Sequence, residues 1–345
     1  MSRKGVGMGD GTLYLVTGAA GFVGRYMVEM LRERGHAVRA SDLPAEPPRD
    51  YPDGVEYVQA DLTRPESLAG ACEGVGIIFH PASVFDFSTP REVMERVNVG
   101  GTENLCLAAA GAGVERLVQW GTMMVFGEKQ RRSEPITEDT PHASASIYAS
   151  SKSRQEEVAL RFHGEGRLAV TVVRPAIIYG PRSVYGLADI LIKARHLPRI
   201  PVVPAMKARI CLVHVRDVVG AAYHLAHLEE AAGECYNLVD DFSHLTIRDL
   251  LTLAAVVLEK PALTLPLPNA LVRWSLQKLA DFTSAHEWMR VEGRPIMEQD
   301  FLHLLRMDGY ASNAKLTSTG YRLGYPDWRI GLLETSRWYR ERGMW

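Results

Sequence analysis

Cysteine is scarce in this sequence of 345 residues, which contains four. They stand far apart, without a C-x-x-C pair or the neighbouring histidine spacing of a zinc site: Cys72, Cys106, Cys211 and Cys235. We therefore expect buried, reduced thiols, as is typical of a reducing cytosol, and no bound metal.

An excess of charge is also missing, because 39 Lys and Arg residues oppose 41 Asp and Glu residues, for a formal net charge of -2. Without a basic field, we expect no nucleic-acid partner. No uncharged apolar run reaches the roughly 18 residues that span a bilayer. Residues 1–11 are polar and glycine-rich, without the apolar core of a secretory signal. These absences predict a cytoplasmic protein with a flexible N-terminal segment at 1–11.

What is present is an ordinary globular composition, with 46% hydrophobic and 23% charged residues. Through the first half, short β-rich apolar runs alternate with helical patterns, which predicts right-handed βαβ units and a doubly wound parallel sheet of the α/β class. The predicted strands are Leu13–Thr17, Ala37–Asp42, Val55–Gln59, Gly76–His80, Arg116–Trp120 and Ala169–Val173. Helices are predicted at 21–34, near 65–72, near 91–110 and from Tyr148 onward.

The regular alternation loosens beyond Gly180. Prolines gather there, at Pro198, Pro201 and Pro204. The length also suggests about two domains. We therefore predict a sheet domain over 12–180 and a smaller, partly interleaved C-terminal domain over 181–345. Segment 211–239 contains further strand patterns, and we expect it to return to the sheet domain.

Strand one runs directly into a G-x-x-G-x-x-G sequence, Thr17–Gly24, that opens a helix. In such a turn Gly18 permits the tight bend, Gly21 lets a pyrophosphate approach the backbone, and Gly24 lets the helix pack closely on the strand. The N-terminus of the helix offers free N–H groups and the positive end of its dipole to phosphates. The motif therefore predicts a dinucleotide cofactor.

Asp42 ends the second predicted strand, 24 residues after Gly18. A carboxylate at this place can accept hydrogen bonds from the adenosine ribose and repels a 2′-phosphate, so NAD is predicted over NADP. The alternative is that Asp42 is only a turn residue that starts a loop. Asp61 and Leu62 follow strand three, where they can reach the adenine, but Asp61 can equally be the N-cap of the next helix.

Tyr148 and Lys152 stand four residues apart, which places both side chains on one face of a helix. A phenol with its ordinary pKa of about 10 is a poor base at neutral pH, but a nearby ammonium favours the phenolate. Thr122 follows strand five, at the sheet edge where open α/β folds bind ligands. Its hydroxyl can bond a substrate oxygen, or it can simply bond its own backbone. These residues predict proton removal from an alcohol while a hydride leaves the same carbon.

Taken together, these residues resemble the extended short-chain dehydrogenase/reductase family in the family's order and spacing. The resemblance covers roughly residues 12–239. It depends on Thr17–Gly24, Asp42, Asp61-Leu62, His80–Ser83, Val97–Thr102, Thr122–Gly127, Tyr148–Lys152 and Arg174–Pro181. It implies an NAD(P)-dependent enzyme with a Rossmann domain over 12–180, a mainly substrate-binding domain over 181–345, and a homodimer.

The resemblance also assigns roles to residues. Thr122, Tyr148 and Lys152 match the catalytic trio, and Tyr148 and Lys152 also hold the cofactor. Asn98 is expected to help position the catalytic helix and the cofactor. The other residues expected at the dinucleotide are Gly18, Gly21, Phe22, Val23, Gly24, Asp42, Asp61, Leu62, Pro81, Ala82 and Ala176.

Departures from the family's patterns narrow the substrate class. Met123 and Met124 stand where dehydratases of the family carry Asp-Glu, which disfavours elimination of water. Ile177 stands where nucleotide-sugar epimerases usually carry an Asn that grips the sugar diphosphate, and Ile210 replaces an expected Arg. A diphosphate-bearing substrate therefore loses support.

The groups found instead are apolar and include Val84, Phe85, Phe87, Met123, Met124 and the stretch 263–279. They favour a hydrophobic substrate, because burial contributes about 25 cal/mol per Å2 of apolar surface. The pattern resembles the 3β-hydroxysteroid dehydrogenase branch, which includes the sterol 4-carboxylate 3-dehydrogenases. The expected substrate contacts are Ser83, Phe85, Met123, Met124 and Ile177.

We expect oxidation of a secondary alcohol, the 3β-hydroxyl of a steroid-like or sterol-like substrate, to a ketone. A carboxylate beside that ketone would leave readily as carbon dioxide. Two alternatives stay open: a nucleotide-sugar epimerase or reductase with tightly bound NAD, and a non-catalytic dinucleotide sensor. The amphipathic, cationic stretch 267–279 also has two interpretations, a face that rests peripherally on a membrane surface or ordinary core packing.

Overall fold

The structure is a computed structural model that describes residues 11–87, 89–128, 133–241, 245–291, 294–295, 302 and 308–343. Most of the N-terminal segment expected to be flexible, residues 1–10, lies outside this part of the chain. The basic run 129–132, whose charges predict a solvated loop, also lies outside it.

Seven strands form the central sheet: β1 (Leu13–Thr17), β2 (Ala37–Asp42), β3 (Glu56–Gln59), β4 (Ile77–His80), β5 (Arg116–Trp120), β6 (Ala169–Pro175) and β11 (Cys235–Leu238). Their order is β11-β6-β5-β4-β1-β2-β3, and every pairing is parallel. The prediction of a doubly wound α/β fold is confirmed. The chain reverses its direction of travel across the sheet between β1 and β4, and ligands of such sheets bind at that crevice.

The helices are α1 (Phe22–Glu33), α2 (Pro65–Cys72), α3 (Arg91–Met94), α4 (Gly101–Ala112), α5 (Ile147–Gly164), α6 (Leu187–Ala194), α7 (Val215–Ala226), α8 (Ile247–Val257), α9 (Asn269–Ala285), α10 (Ala314–Ser318) and α11 (Trp328–Glu341). Short 3-10 turns cover Met123–Phe126, Glu229–Ala231 and Glu287–Met289. Within the described ranges, no helix combines the length and apolarity that crossing a bilayer requires.

Residues of β1 alternate between two hydrophobic cores, as the two-residue period of a strand demands. Tyr14 and Val16 pack in one buried cluster with side chains of α1 and α7. Leu15 packs in the other with side chains of α2, α4 and α5. Helices therefore cover both faces of the sheet. The edge at the carboxyl ends of the strands is the place where a ligand can bind.

The long helix predicted near 91–110 contains an irregularity that the sequence pattern did not indicate. Between α3 and α4, residues Glu95–Gly100 form a π-helical turn. Such turns occur frequently at functional sites because they re-aim side chains within a helix. Asn98 lies in this turn and is fully buried.

Outside the main sheet, short strands pair two by two. They are β7 (Ile177–Tyr179) with β10 (Leu212–His214), β8 (Ile200–Val202) with β13 (Ala262–Thr264), β9 (Arg209–Ile210) with β12 (Leu245–Thr246), and β14 (Arg290–Val291) with β15 (Arg294–Pro295). Of the segment 211–239, β11 thus joins the sheet, whereas β10 pairs with β7 beyond the sheet's edge.

Candidate active site

The glycine-rich turn after β1 closely approaches the loop after β4. Gly18 has a φ of +59°, and a Cβ atom there would lie 2.9 Å from the Cα atom of Ala82. A Cβ atom on Gly24 would lie 2.2 Å from the carbonyl oxygen of Gly18. The N–H of Gly21 donates to that same oxygen at 3.0 Å and closes the turn. A larger residue at position 18 or 24 would therefore push the turn and its neighbours apart.

This turn has the features that the pyrophosphate of NAD needs. α1 begins at Phe22, and its N-cap, Gly21, places no side chain over the first N–H groups. Free donors and the positive end of the helix dipole attract phosphates. Phe22 and Val23 form the first turn and pack, partly buried, against the core. The residues present therefore fit a dinucleotide.

Asp42 ends β2 next to the same turn. Its Oδ2 accepts the N–H of Ala20 at 2.9 Å, and its Oδ1 accepts the N–H of Leu43 at 2.7 Å. The first bond holds the carboxylate against the glycine-rich turn, at the place where this kind of fold receives an adenosine ribose. The second bond is the local turn contact that the alternative interpretation expects. Asp42 therefore contacts both the glycine-rich turn and the start of its own loop.

Asp61 and Leu62 lie at the carboxyl end of β3. The Oδ1 atom of Asp61 accepts both the N–H and the hydroxyl of Thr63 at 2.8 Å, and these bonds lower the pKa of the carboxyl. The expectation that Asp61 is an N-cap is wrong, because α2 begins at Pro65 and its N-cap is Arg64. The carbonyl of Leu62 accepts a bond from α4, which fixes this loop beside the sheet edge.

Tyr148 lies in the first turn of α5, which Ser146 caps by accepting the N–H of Ala149 at 3.1 Å. The phenol forms a hydrogen bond with Thr122, and the ring of Phe87 packs edge-on with centroids 5.4 Å apart. Burial raises the pKa of Tyr148 to about 12, although the bond to Thr122 opposes this shift. In the protein by itself the phenol is neutral, and it needs a nearby positive charge to act as a base.

Lys152 lies one turn further along α5 and is 1% exposed. Its Nζ donates to Oε1 of Gln155 at 2.5 Å. Burial lowers the pKa of Lys152 to about 7, and the carboxylate of Glu156 opposes that shift. The amine therefore titrates near neutral pH, so modest changes around it decide whether it is charged.

Asn98 connects the loop after β4 with α5. Its Oδ1 accepts the N–H of Val84 at 2.7 Å, and its Nδ2 donates to the carbonyl of Val84 at 2.9 Å. The same Nδ2 donates to the hydroxyl of Ser151 at 3.0 Å. Because Ser151 stands between Tyr148 and Lys152 on α5, these bonds fix the register of the helix against the loop.

A buried ion pair that we did not predict supports the site. Glu156 accepts two bonds from the guanidinium of Arg174 at 2.9 Å, and both side chains are almost completely buried. The other oxygen of Glu156, Oε1, lies so close to Gly121 that a Cβ atom there would be only 2.0 Å away. One sequence signal was available, because Glu156 follows Tyr148 by eight residues and shares its helix face.

The residues expected to contact substrate lie in several surroundings. Phe85 is exposed at the surface of the loop after β4, where its ring packs edge-on against Tyr185 at 4.5 Å. Met123 is buried in a cluster with Val125 and Phe126. The other three, Ser83, Met124 and Ile177, are half-buried, as are Pro81, Ala82 and Ala176, which were expected at the dinucleotide.

The stretch 267–279 falls mainly on α9, which has two faces. Val272, Ala280 and Thr283 are buried. The other face exposes large apolar side chains: Leu271 is 44% exposed, Trp274 60% and Phe282 44%. The core-packing interpretation therefore accounts for one face of this helix and is wrong for the other.

Comparison with known proteins agrees with the fold and with the motifs. The pattern of the NAD dependent epimerase/dehydratase family matches residues 14–238. The chain belongs to this family. It is therefore an enzyme of the extended short-chain dehydrogenase/reductase type, and its cofactor is NAD.

Curated relatives fall into two substrate classes. Bovine sterol-4-alpha-carboxylate 3-dehydrogenase, decarboxylating, is 32% identical over 236 residues, which are 66% of this chain and 64% of that protein. The 3 beta-hydroxysteroid dehydrogenase/Delta 5-->4-isomerase of Mycobacterium tuberculosis is 29% identical over 341 residues, 89% of this chain and 86% of that protein. The UDP-glucose 4-epimerase of Vibrio cholerae is 25% identical and covers 74% of this chain and 78% of its own.

Solved structures have the same fold. The crystal structure of gox2253 superimposes with a TM-score of 0.76 at 28% identity, over 96% of this chain and 99% of that chain. UDP-glucose 4-epimerase from Thermus thermophilus, in complex with NAD, superimposes with a TM-score of 0.71 at 24% identity, over 95% and 99%.

Proposed function

We propose that this enzyme oxidises a secondary alcohol, the 3β-hydroxyl of a steroid-like or sterol-like molecule, to a ketone. The observation that carries the proposal is the bond between Tyr148 and Thr122 at the sheet edge, with Lys152 one helical turn away. The similarity to sterol and steroid dehydrogenases supports the substrate class.

In this proposal the substrate hydroxyl bonds Tyr148 and Thr122, whose hydroxyl groups interact with each other at the sheet edge. Tyr148 takes the hydroxyl proton, and Thr122 steadies the charge that develops on the oxygen. NAD, when bound, accepts the hydride and brings a positively charged ring. The ammonium of Lys152 adds positive charge on the same helix face and so favours the phenolate.

We assign NAD to the glycine-rich turn and the two neighbouring strand ends. Gly18, Gly21 and Gly24 leave the phosphates access to the N-terminus of α1, and Asp42 receives the adenosine ribose. The further contacts in this proposal are Phe22, Val23, Asp61, Leu62, Pro81, Ala82, Asn98, Tyr148, Lys152 and Ala176. The fully buried Asn98 acts mainly by holding α5 in register.

A hydrophobic substrate is supported by the side chains around the phenol. Phe87 packs on the ring of Tyr148, and the half-buried Ser83, Met124 and Ile177 complete the proposed contact set with Phe85 and Met123. None of these side chains carries a charge that could pair with a diphosphate. If the substrate carries a carboxylate next to the new ketone, loss of carbon dioxide follows from the electron-withdrawing carbonyl.

The test is a panel of 3β-hydroxysteroids, 4-carboxysterols, simple secondary alcohols and UDP-sugars, assayed with NAD and NADP by absorbance of the reduced nicotinamide. We expect steroid oxidation with NAD and no turnover of UDP-sugars. The similarity to UDP-glucose 4-epimerase makes epimerisation the second candidate. NAD retained at one equivalent per chain through purification, together with UDP-sugar turnover, would contradict the steroid proposal.

We also propose that the exposed apolar face of α9 contacts a membrane surface, from which a hydrophobic substrate can enter. Leu271, Trp274 and Phe282 supply the apolar contact, and Lys278 adds a positive charge on the same helix.

The homodimer, the cytoplasmic location and the division into domains at 12–180 and 181–345 stay predictions. Sedimentation velocity tests the first of these.

A further inference from the structure

Gln155 lies at the centre of the site although none of the motifs includes it. It follows Tyr148 by seven residues and Lys152 by three, and it therefore shares their face of α5. Its side chain is completely buried. The Oε1 atom accepts a bond from Nζ of Lys152, and the Nε2 atom donates to Oγ1 of Thr102 on α4 at 2.7 Å.

The hydrogen bonds continue from Thr102 to the glycine-rich turn. Oγ1 of Thr102 lies 3.1 Å from Nε2 of His80, and Nδ1 of His80 lies 2.7 Å from Oγ1 of Thr17. A hydroxyl donates one bond and accepts up to two, so Thr102, which accepts from Gln155, can also donate its proton to Nε2 of His80. In that arrangement His80 carries its hydrogen on Nδ1 and donates to Thr17, whereas the other tautomer reverses both directions.

All five side chains of this chain of bonds are buried: Thr17, His80, Thr102, Lys152 and Gln155. Burial, with the charge of Lys152 as a smaller influence, lowers the pKa of His80 to about 3, so the imidazole is neutral and can accept from Thr102. With the hydrogen of His80 on Nδ1, the donors all run one way, from Lys152 to Thr17, which directly precedes Gly18. Reversing the amide of Gln155 would place its NH2 group against the ammonium, so the network holds it in one orientation.

We propose that Gln155 is a positioning residue that keeps the Lys152 amine charged and aimed, through a buried chain of hydrogen bonds anchored at the glycine-rich turn. The proposal deepens the proposed function and rests on it for the catalytic role of Lys152. An ammonium has three N–H donors. With one of them given to Gln155, two stay available to other acceptors, and in this proposal these are the phenol and the cofactor.

Other charged and titratable groups around Lys152 are few, and they can be named. Glu156 on α5 favours the charged amine, but Arg174 on β6 neutralises much of that effect by pairing with it. Tyr148 on α5 and His80 on β4 are neutral in the protein by itself. The uncharged oxygen of Gln155, which accepts directly from Nζ, favours the charged amine in addition to Glu156.

The direct test measures the charge of Lys152 without any turnover. Protein labelled with 13C at the lysine ε-carbon is titrated by NMR, and Lys152→Met assigns the signal. Gln155→Met keeps the size of the side chain and removes both bonds. Since a hydrogen bond to a charged group contributes on the order of one to two pKa units, we expect the pKa of Lys152 to fall by about one unit.

Two matched variants complete the test. Gln155→Glu keeps an acceptor on Nζ, so the pKa of Lys152 should stay level or rise. Thr102→Val cuts the next bond and should lower the pKa by less than Gln155→Met does, whereas Thr102→Ser keeps the hydroxyl and should leave it unchanged. If Gln155→Met does not fold, the Thr102 pair decides. The proposal is overturned if folded Gln155→Met leaves the pKa of Lys152 unchanged. If Gln155→Met does not fold, an unchanged pKa in folded Thr102→Val overturns it.

Kinetics then connect the network to function. Activity that needs a charged Lys152 is lost as pH rises through its pKa, so the alkaline limb of kcat/KM should move to lower pH in Gln155→Met. A purely structural role would lower Tm without moving that limb. The two failures are distinguishable: absence of steroid turnover in the unmodified enzyme contradicts the proposed function, while the NMR titration still decides the role of Gln155.

Discussion

At the scale of single residues, the site depends on how burial opposes charge. Burial raises the pKa of Tyr148 to about 12 and lowers that of Lys152 to about 7, so each group is pushed towards its neutral form. A neighbouring ammonium is therefore not sufficient by itself to make the phenol acidic. The positive nicotinamide ring of bound NAD and the hydrogen bonds that keep Lys152 charged are needed as well.

Tyr148→Phe removes the phenol and keeps the ring that packs against Phe87. Because general base catalysis contributes roughly 100-fold to 10,000-fold, we expect kcat to fall by that range while NAD affinity, measured by calorimetry, is retained. Thr122→Val is the matched variant for the second hydroxyl and should lose less activity. Unchanged function in Tyr148→Phe would favour the non-catalytic dinucleotide sensor.

Asp42→Ala removes the carboxylate proposed to receive the adenosine ribose. A hydrogen bond to a charged group contributes about 1.5–3 kcal/mol, so KM for NAD should rise at least about tenfold. KM for NADP should fall, because the repulsion of a 2′-phosphate disappears. Glu46→Ala, an exposed carboxylate four residues away, is the control and should change neither constant. If Asp42→Ala and the unmodified enzyme prefer NAD over NADP equally, Asp42 acts only as a turn residue.

At the scale of elements, α5 carries the catalytic face and is held by polar side chains on every side. Asn98 fixes it to the loop after β4, Gln155 to α4, and Glu156 to Arg174 on β6. These are buried contacts, so each group depends on its partner. The helix is therefore positioned by specific bonds in addition to apolar packing, which suits a site that needs fixed geometry.

Glu156→Gln breaks the buried ion pair and leaves the guanidinium of Arg174 without its charged partner. Loss of one member of such a pair costs about 3–5 kcal/mol, and we expect that decrease in the free energy of unfolding from urea denaturation. Glu103→Gln is the control, because its pair with Arg161 is exposed and such pairs contribute about 0–1 kcal/mol. Equal losses in the two variants would contradict a special role for the buried pair.

At the scale of the whole molecule, two surfaces differ in chemistry: the sheet edge is polar, and one face of α9 is apolar. The sheet edge between β1 and β4 concentrates polar groups and the glycine-rich turn. The exposed face of α9 presents Leu271, Trp274 and Phe282 to solvent. Large exposed apolar patches often mark interaction sites, and this face is the one that the membrane proposal uses.

The membrane proposal predicts that the protein floats with lipid vesicles in a density gradient. Trp274→Ser together with Phe282→Ser should abolish flotation with vesicles of mixed neutral and anionic lipid and leave turnover of a water-soluble alcohol unchanged. Leu333→Ser, at a still more exposed apolar residue on α11, is the control and should float as before. Flotation that survives the double substitution would place the lipid contact elsewhere.

The sequence by itself determined what short-range periodicity encodes. The bounds of β1, β2, β5 and α2 match their predictions, because alternation and 3.6-residue patterns are local and turn residues limit them. The same local logic placed Tyr148 and Lys152 on one helix face, and glycine spacing located the turn. Family membership followed from these motifs.

Only the tertiary structure decided which buried polar groups meet. Gln155 and Thr102 are 53 residues apart in the chain, and Thr17 and His80 are 63 apart, so no local pattern connects them. The bonds of Asn98 in the π-helical turn likewise join it to Val84 and Ser151, 14 and 53 residues away. A buried polar group needs a hydrogen-bond partner. Which partner is within reach depends on the order of the strands across the sheet.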